Sequence, residues 1–249
     1  MSPIVRYESL LTMSSKKYKN IYINGCSFTA GDNIVDGLTW PELLSKKLNL
    51  KLINQSVNGN SMQSITLNSV NHLSKLSSKD TLVIIGLTWE PRYMVQIGKN
   101  LFNITPAMFD NRNLSVMYGT WRRLSSPYST NQKDLDNHHF KINQTNYNIV
   151  LGKFIDFYKS LVKYDDNLKN NQTLNLTTQI ILLQSFLKQN NFDYKFINFG
   201  SINDKKVDSI DSSNVINLNG ELYQKNTTSH PNEEQCVEIS EEIYDIINS

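Results

Sequence analysis

Residues Thr81–Gly86 read TLVIIG and carry the strongest strand signal in the chain. The run is continuously apolar, which is typical of a central parallel strand covered on both faces. A second β-rich run, Ile21–Ile23, lies nearer the N-terminus and ends at a turn signal, Asn24-Gly25. Two such strands, separated by helical stretches, predict a parallel sheet rather than a series of hairpins.

Strands and helices alternate along the rest of the chain. The predicted strands lie at 51–54, 194–198 and 215–218, and the predicted helices at 40–50, 61–76, 149–190 (interrupted near 165–173) and 233–248. This order predicts an α/β fold of the flavodoxin-like kind, with three α/β/α layers and a parallel sheet of about five strands. We expect a single domain over 1–249, in which residues of about 89–148 form a partly helical insertion with weak periodicity.

Composition narrows the function classes. The chain has 249 residues, of which 39% are hydrophobic and 19% charged, so it can bury a core. A net charge of +2 provides no field for nucleic acid or a membrane surface, and neither is expected as a partner. The N-terminal stretch is polar and no run reaches the apolar length of a membrane span. We therefore expect a cytoplasmic protein, while a virus-encoded or virion-associated product would carry the same signals.

In parallel α/β sheets the ligand site lies beyond the carboxyl ends of the strands. Residues suited to chemistry stand at all four places that this rule selects. They are Gly25–Asp32 after the first strand, Val57–Ser61 after the second, Gly86–Trp89 after the third, and Ser229–Asn232 before the last helix.

In this order, these four blocks resemble those of the SGNH (GDSL-type) hydrolase superfamily. That superfamily carries a Gly-Asp-Ser-like block, a glycine block, a Gly-x-Asn-Asp block and an Asp-x-x-His block. The Gly-Cys-Ser-Phe-Thr form of the first block, residues 25–29, is similar to a divergent branch of phage and microbial proteins. The resemblance implies an esterase that needs no cofactor. It also implies an acylated small molecule or glycan as substrate, with a small O-acyl group such as O-acetyl preferred.

Ser27 and His230 are the predicted catalytic pair. A serine that opens a helix after a strand is exposed beside backbone N–H groups, as a nucleophile requires, although the same serine could simply cap the helix. His230 is the predicted base, since histidine titrates near neutral pH and its loop should reach the same sheet edge. Cys26 is the rival nucleophile, but its position nearer the strand predicts a buried thiol.

The backbone N–H groups of Ser27 and Gly59 are the predicted oxyanion donors. Gly59 also suits a plain turn after Asn58. The resemblance expects an asparagine donor in the third block, where this chain has Thr88, so Thr88, Asn58 or Asn60 is expected to take that role. Loss of one such donor costs about 10²–10³ in rate.

A second departure concerns the acid that orients the histidine. The resemblance expects Asp at the position of Thr227, and the candidates to replace it are a backbone carbonyl, Asp32, Glu90 or Glu233. If a carbonyl serves, activity should be slow and Thr227→Asp should raise it.

Trp89 and Arg92 follow the third strand, where a substrate would lie. Arginine suits a carboxylate or phosphate and tryptophan a sugar face or acyl chain, although both could instead pack the insertion. His138 and His139 have no partners at metal-ligand spacing, so no metal site is expected.

Three other functions stay open. An acyltransferase would use the same pair with an alcohol in place of water. A hydrolase-derived binding or structural module would explain both departures. A nucleotide-binding flavodoxin-like domain is disfavoured, because Gly25 to Gly31 matches neither GxGxxG nor a phosphate loop.

Overall fold

The computed structural model describes residues 18–31, 34–88, 92–97, 100–104, 166–200, 210–218 and 230–249. Its strands are β1 (Asn20–Asn24), β2 (Lys51–Asn54), β3 (Thr81–Gly86), β4 (Tyr93–Ile97), β5 (Asn100–Ile104), β6 (Asp193–Asn198) and β7 (Val215–Asn217). Its helices are α1 (Ser27–Ala30), α2 (Trp40–Leu48), α3 (Met62–Leu73), α4 (Asp166–Gln189) and α5 (Glu233–Asn248). None of the described helices is long and apolar enough to cross a membrane.

Five strands form one sheet in the order β2-β1-β3-β6-β7. All four neighbouring pairs are parallel. Taken along the five strands this is the order 2-1-3-4-5 of flavodoxin-like folds, so the predicted fold class is confirmed. The chain runs outward from β1 to one side and from β3 to the other, which opens a crevice at the carboxyl ends of these two strands.

Each face of the sheet is covered by two helices. Side chains alternate along a strand, so Ile21 and Ile23 lie on one face and Tyr22 on the other. The first face packs against α2 and α5 and contains Leu82, Ile84, Trp40, Leu44, Ile239 and Ile243. The second packs against α3 and α4 and contains Val83, Ile85, Phe196, Ile65, Ile180 and Leu183. All residues of β3 are buried, as expected for a strand between two helical layers.

One sequence expectation needs correction. Helix α4 runs without a break from Asp166 to Gln189, where an interruption near 165–173 was expected. The polar, asparagine-rich first half hides the helical period, but the second half provides the anchor, since Ile180, Leu183 and Leu187 are buried against the sheet.

Within the region expected to be a partly helical insertion, β4 and β5 form an antiparallel pair, a two-stranded sheet separate from the five parallel strands. Gly98 and Lys99 lie between them and supply the sequence signal for a hairpin, which we did not predict. The rest of 89–148 outside 92–97 and 100–104 is not among the described residues, and the single-domain assignment stays a prediction.

Candidate active site

Ser27 stands directly after the turn that follows β1. Cys26 is the N-cap of α1, and Gly31 ends this four-residue helix in a left-handed conformation (φ 75°), with its N–H donating to the Ser27 carbonyl. Ser27 is 5% exposed and Cys26 is fully buried in the core. The buried thiol expected from the sequence is therefore present, and the serine lies nearer the solvent.

Asn24, the last residue of β1, fixes the turn before Ser27 through hydrogen bonds of its side chain. Its Oδ1 accepts a hydrogen bond from the Gly25 N–H at 2.8 Å. Its Nδ2 lies 3.0 Å from Ser69 Oγ and 3.3 Å from the Ile65 carbonyl, both on α3. Because Asn24 is fully buried, these bonds replace the water that its amide has lost. From the sequence we took Asn24 only as a turn signal, and nothing local revealed its tie to α3.

His230 reaches Ser27 from the other end of the chain. Its Nε2 lies 2.8 Å from Ser27 Oγ, across 203 residues of sequence. This is the separation that a serine and its general base require, and it is the contact expected from the two sequence blocks. The Phe28 ring lies beside the imidazole, with 5.3 Å between the ring centroids, and provides an apolar wall on one side of the pair.

The loop after β2 lies against the Ser27 turn. Both the Val57 N–H and the Asn60 Nδ2 donate to the Gly25 carbonyl, at 3.2 and 3.1 Å. Gly59 has φ 74°, a backbone conformation that a side chain would strain. Neither the Ser27 N–H nor the Gly59 N–H has an acceptor among the residues that the structure describes. Two backbone donors thus remain available beside the serine, the pair expected to hold an oxyanion.

Asn60 and Thr88 form a buried network behind this loop. Both residues are fully buried. The Thr88 hydroxyl donates to the Asn60 carbonyl at 3.1 Å, and Asn60 Nδ2 donates to Gly25. Arg92 Nη1 donates to Thr88 Oγ1 at 2.9 Å and reaches the Asn60 carbonyl at 3.4 Å. In this arrangement the Thr88 hydrogen points into the protein, so a role in holding an oxyanion would require Thr88 to give up its bond to Asn60.

The described residues include one candidate acid and leave others out. Glu233 is exposed in the first turn of α5, and no direct hydrogen bond or ion pair joins it to His230 in the part of the chain that the structure describes. An acid in that turn instead favours the helix through the backbone dipoles. Four sequence candidates lie outside the described residues, namely Asp32, Trp89, Glu90 and Thr227, as do His138 and His139. Asn58 is half-buried in the Gly59 turn.

Comparison with known proteins gives distant structural similarities only. No model of a known protein family matches the chain, and no curated protein matches it in sequence. Among solved structures the chain is similar to the psychrotrophic esterase EstA from Pseudoalteromonas sp., with 14% identity, a TM-score of 0.46, and 92% of this chain and 97% of that one covered. It is also similar to a member of the lipolytic G-D-S-L family from Veillonella parvula, with 15% identity, a TM-score of 0.37, and coverage of 92% and 98%.

Proposed function

We propose that the protein is a serine hydrolase of carboxylic esters, acting through Ser27 and His230. The observation that carries the proposal is the 2.8 Å contact between His230 Nε2 and Ser27 Oγ at the carboxyl edge of a parallel sheet. The N–H groups of Ser27 and Gly59, which have no acceptor among the described residues, add the second requirement of acyl transfer, which is stabilisation of the developing negative charge. Neither feature would be needed if Ser27 served only to start α1.

The chemistry follows from these positions. Ser27 Oγ attacks the acyl carbon while its proton passes to His230 Nε2, and the carbonyl oxygen becomes an oxyanion that accepts hydrogen bonds from the Ser27 and Gly59 N–H groups. When the tetrahedral adduct collapses, the ester C–O bond breaks and His230 returns the proton to the departing alcohol. Water then attacks the acyl-enzyme by the same route, releasing the acid and restoring the Ser27 hydroxyl.

The restricted exposure of the nucleophile favours a small acyl group. Ser27 is only 5% exposed, and Phe28 closes one side of the catalytic pair. An acetyl group needs less space beside this ring than a longer acyl chain does. Together with the resemblance of the sequence blocks, this supports a small O-acyl ester on a glycan or another small molecule as substrate.

Two alternatives use the same fold. An acyltransferase would share the first half-reaction, and an alcohol acceptor would replace water in the second. A binding module derived from a hydrolase is favoured by one observation, the internal engagement of Thr88 where a side-chain donor is expected. An acyltransferase would be recognised by its product, a new ester of the acceptor alcohol. A binding module would be recognised by a Ser27 that does not react with an activated-serine probe.

A fluorophosphonate probe tests the proposal directly. The probe transfers its phosphonyl group to an activated serine, and intact-mass measurement detects the adduct. We expect one adduct on the wild type, none on Ser27→Ala and one on Cys26→Ala, which removes the rival nucleophile. Hydrolysis of p-nitrophenyl acetate should follow the same pattern. An undiminished rate in Ser27→Ala would overturn the catalytic proposal and leave the binding module in its place.

A further inference from the structure

Arg92 is the cation that the structure places beside the oxyanion loop. It follows β3 and immediately precedes β4, and it is half-buried. One of its guanidinium nitrogens, Nη1, contacts both the Thr88 hydroxyl and the Asn60 carbonyl. Asn60 follows Gly59 directly, so Arg92 is bonded to the backbone of the loop that supplies an oxyanion donor.

Burial distinguishes Arg92 from Thr88 and Asn60 as candidates for a side-chain donor, whereas Asn58 is half-buried like Arg92. Thr88 and Asn60 have no exposed surface, and the Thr88 hydroxyl donates to the Asn60 carbonyl while Asn60 Nδ2 donates to the Gly25 carbonyl. A substrate approaching from solvent cannot contact groups that are fully covered. Arg92 bonds to both residues and is only half-buried, so part of its surface stays accessible.

The chemistry of the guanidinium suits the task. It is a cation with five N–H donors in one plane, so a bond from it to an oxyanion is charge-assisted. The contacts of Nη1 to Thr88 and Asn60 hold one edge of the planar guanidinium group in place. Donors that are already fixed stabilise a transition state without reorganising at the moment of reaction.

We propose that Arg92 is the side-chain oxyanion donor of this protein, held in position by Thr88 and Asn60. The inference rests on the proposed ester hydrolysis at Ser27. Under this proposal Thr88 is a positioning residue, whose hydroxyl oxygen accepts a hydrogen bond from Arg92. Arg92, four positions further along the chain, takes the place of the asparagine donor expected in the third block.

The test uses the full-length protein and a neutral substrate, p-nitrophenyl acetate, so that charge attraction to the substrate does not contribute. Arg92→Met keeps much of the length and removes every donor. We expect kcat to fall by about 10²-fold with KM changed less than twofold, and phosphonylation of Ser27 to slow by a similar factor. Arg92→Lys should give an intermediate loss, because an ammonium keeps the charge but not the planar fork.

A rescue experiment separates catalysis from folding. In the Arg92→Ala variant, a guanidinium ion added to the buffer can supply the missing N–H donors, and we expect at least a tenfold recovery of kcat. Thermal unfolding of each variant provides the stability control. Unchanged kcat in Arg92→Met overturns the inference, as does a loss that follows the fall in Tm and is not rescued.

Two further outcomes are diagnostic. If Arg92→Met raises KM only for esters with an anionic group and leaves acetate hydrolysis intact, Arg92 binds substrate charge and the inference is wrong. A different result would overturn the proposed function itself: either the wild type does not react with the fluorophosphonate probe, or Ser27→Ala hydrolyses p-nitrophenyl acetate at the wild-type rate. In that case the inference about Arg92 falls with it.

Discussion

At the scale of single residues, two glycines decide how closely α1 approaches the sheet. A Cβ added at Gly25 or at Gly86 would lie 2.3 Å from Thr29 Oγ1. The Thr29 side chain therefore fills the space above the ends of β1 and β3, where only a Cα hydrogen fits. Thr29 Oγ1 is fully buried and has no hydrogen-bond partner among the described residues. This packing positions Ser27, which lies two residues before Thr29.

Gly86→Ala should test this packing. The new methyl group would collide with Thr29 and press on Phe199, whose ring edge lies 3.3 Å away. Threonine is stiff at χ1 and cannot swing aside cheaply, so we expect a loss of about 1–3 kcal/mol in the free energy of unfolding, measured by urea denaturation. The double variant Gly86→Ala/Thr29→Ala should recover most of that loss. Equal stabilities of the single and double variants would contradict the close-approach argument.

At the scale of elements, the start of α5 determines where His230 lies. Asn232 and Gln235 form a capping box: Asn232 Oδ1 accepts from the Gln235 N–H at 2.8 Å, and Gln235 Oε1 accepts from the Asn232 N–H at 2.9 Å. The helix is anchored one turn later by Cys236 and Ile239 in the core. The backbone at Asn232 is thus fixed by the capping box and by the core contacts of α5. Because His230 lies only two residues earlier, this restricts where its imidazole can lie.

Asn232→Ala should therefore affect both stability and rate. Loss of the cap costs about 1 kcal/mol, and we expect probe labelling of Ser27 to slow severalfold because His230 is less well held. Ser240→Ala is the matched control within the same helix. It removes a 2.7 Å bond to the Val237 carbonyl two turns away from His230. Because alanine is the better helix former, we expect little change in Tm and an unchanged labelling rate. Equal slowing in both variants would show that the effect is not specific to the cap.

At the scale of the whole molecule, ionic contacts lie at the periphery and the apolar layers hold the sheet. One peripheral cluster joins α4 to the turn before β7. Asp211 accepts hydrogen bonds from the Ser213 hydroxyl and N–H, at 2.6 and 3.2 Å, and pairs with Lys188 at 2.9 Å. The Ser213 hydrogen bond, followed by the Lys188 ammonium, lowers the pKa of Asp211 from 3.8 to about 2. This cluster is at the amino end of β7, away from the catalytic edge.

A depressed carboxyl pKa stabilises the folded state in full only when the group is ionised in both the folded and the unfolded state. The contribution of Asp211 is therefore complete above about pH 4 and is lost as the pH falls from 3.8 towards 2. We expect Asp211→Asn to lower the free energy of unfolding at pH 7. The difference from wild type should shrink between pH 4 and pH 2 in urea titrations. A difference that is constant with pH would contradict the assignment, while hydrolysis at pH 7 should be unaffected.

Much of the local structure could be predicted from the residues alone. The apolar run of β3, the capping residue Ser61 before α3 and the amphipathic pattern of α5 specify their elements through short-range chemistry, and the observed bounds agree within a few residues. Alternation of strand and helix then restricts the topology, so the carboxyl edge, Ser27 and His230 were predictable as candidates.

Tertiary structure decided which of those candidates meet. The contacts His230–Ser27, Asn24–Ser69 and Arg92–Asn60 join residues 203, 45 and 32 positions apart. No periodicity or propensity encodes such pairs, because they depend on how the helices pack and how deeply each side chain is buried. For the same reason the exposed Glu233, the covered Thr88 and the half-buried Arg92 look alike as candidates in the sequence. Their difference is one of solvent access, which exists only once the layers have assembled around the sheet.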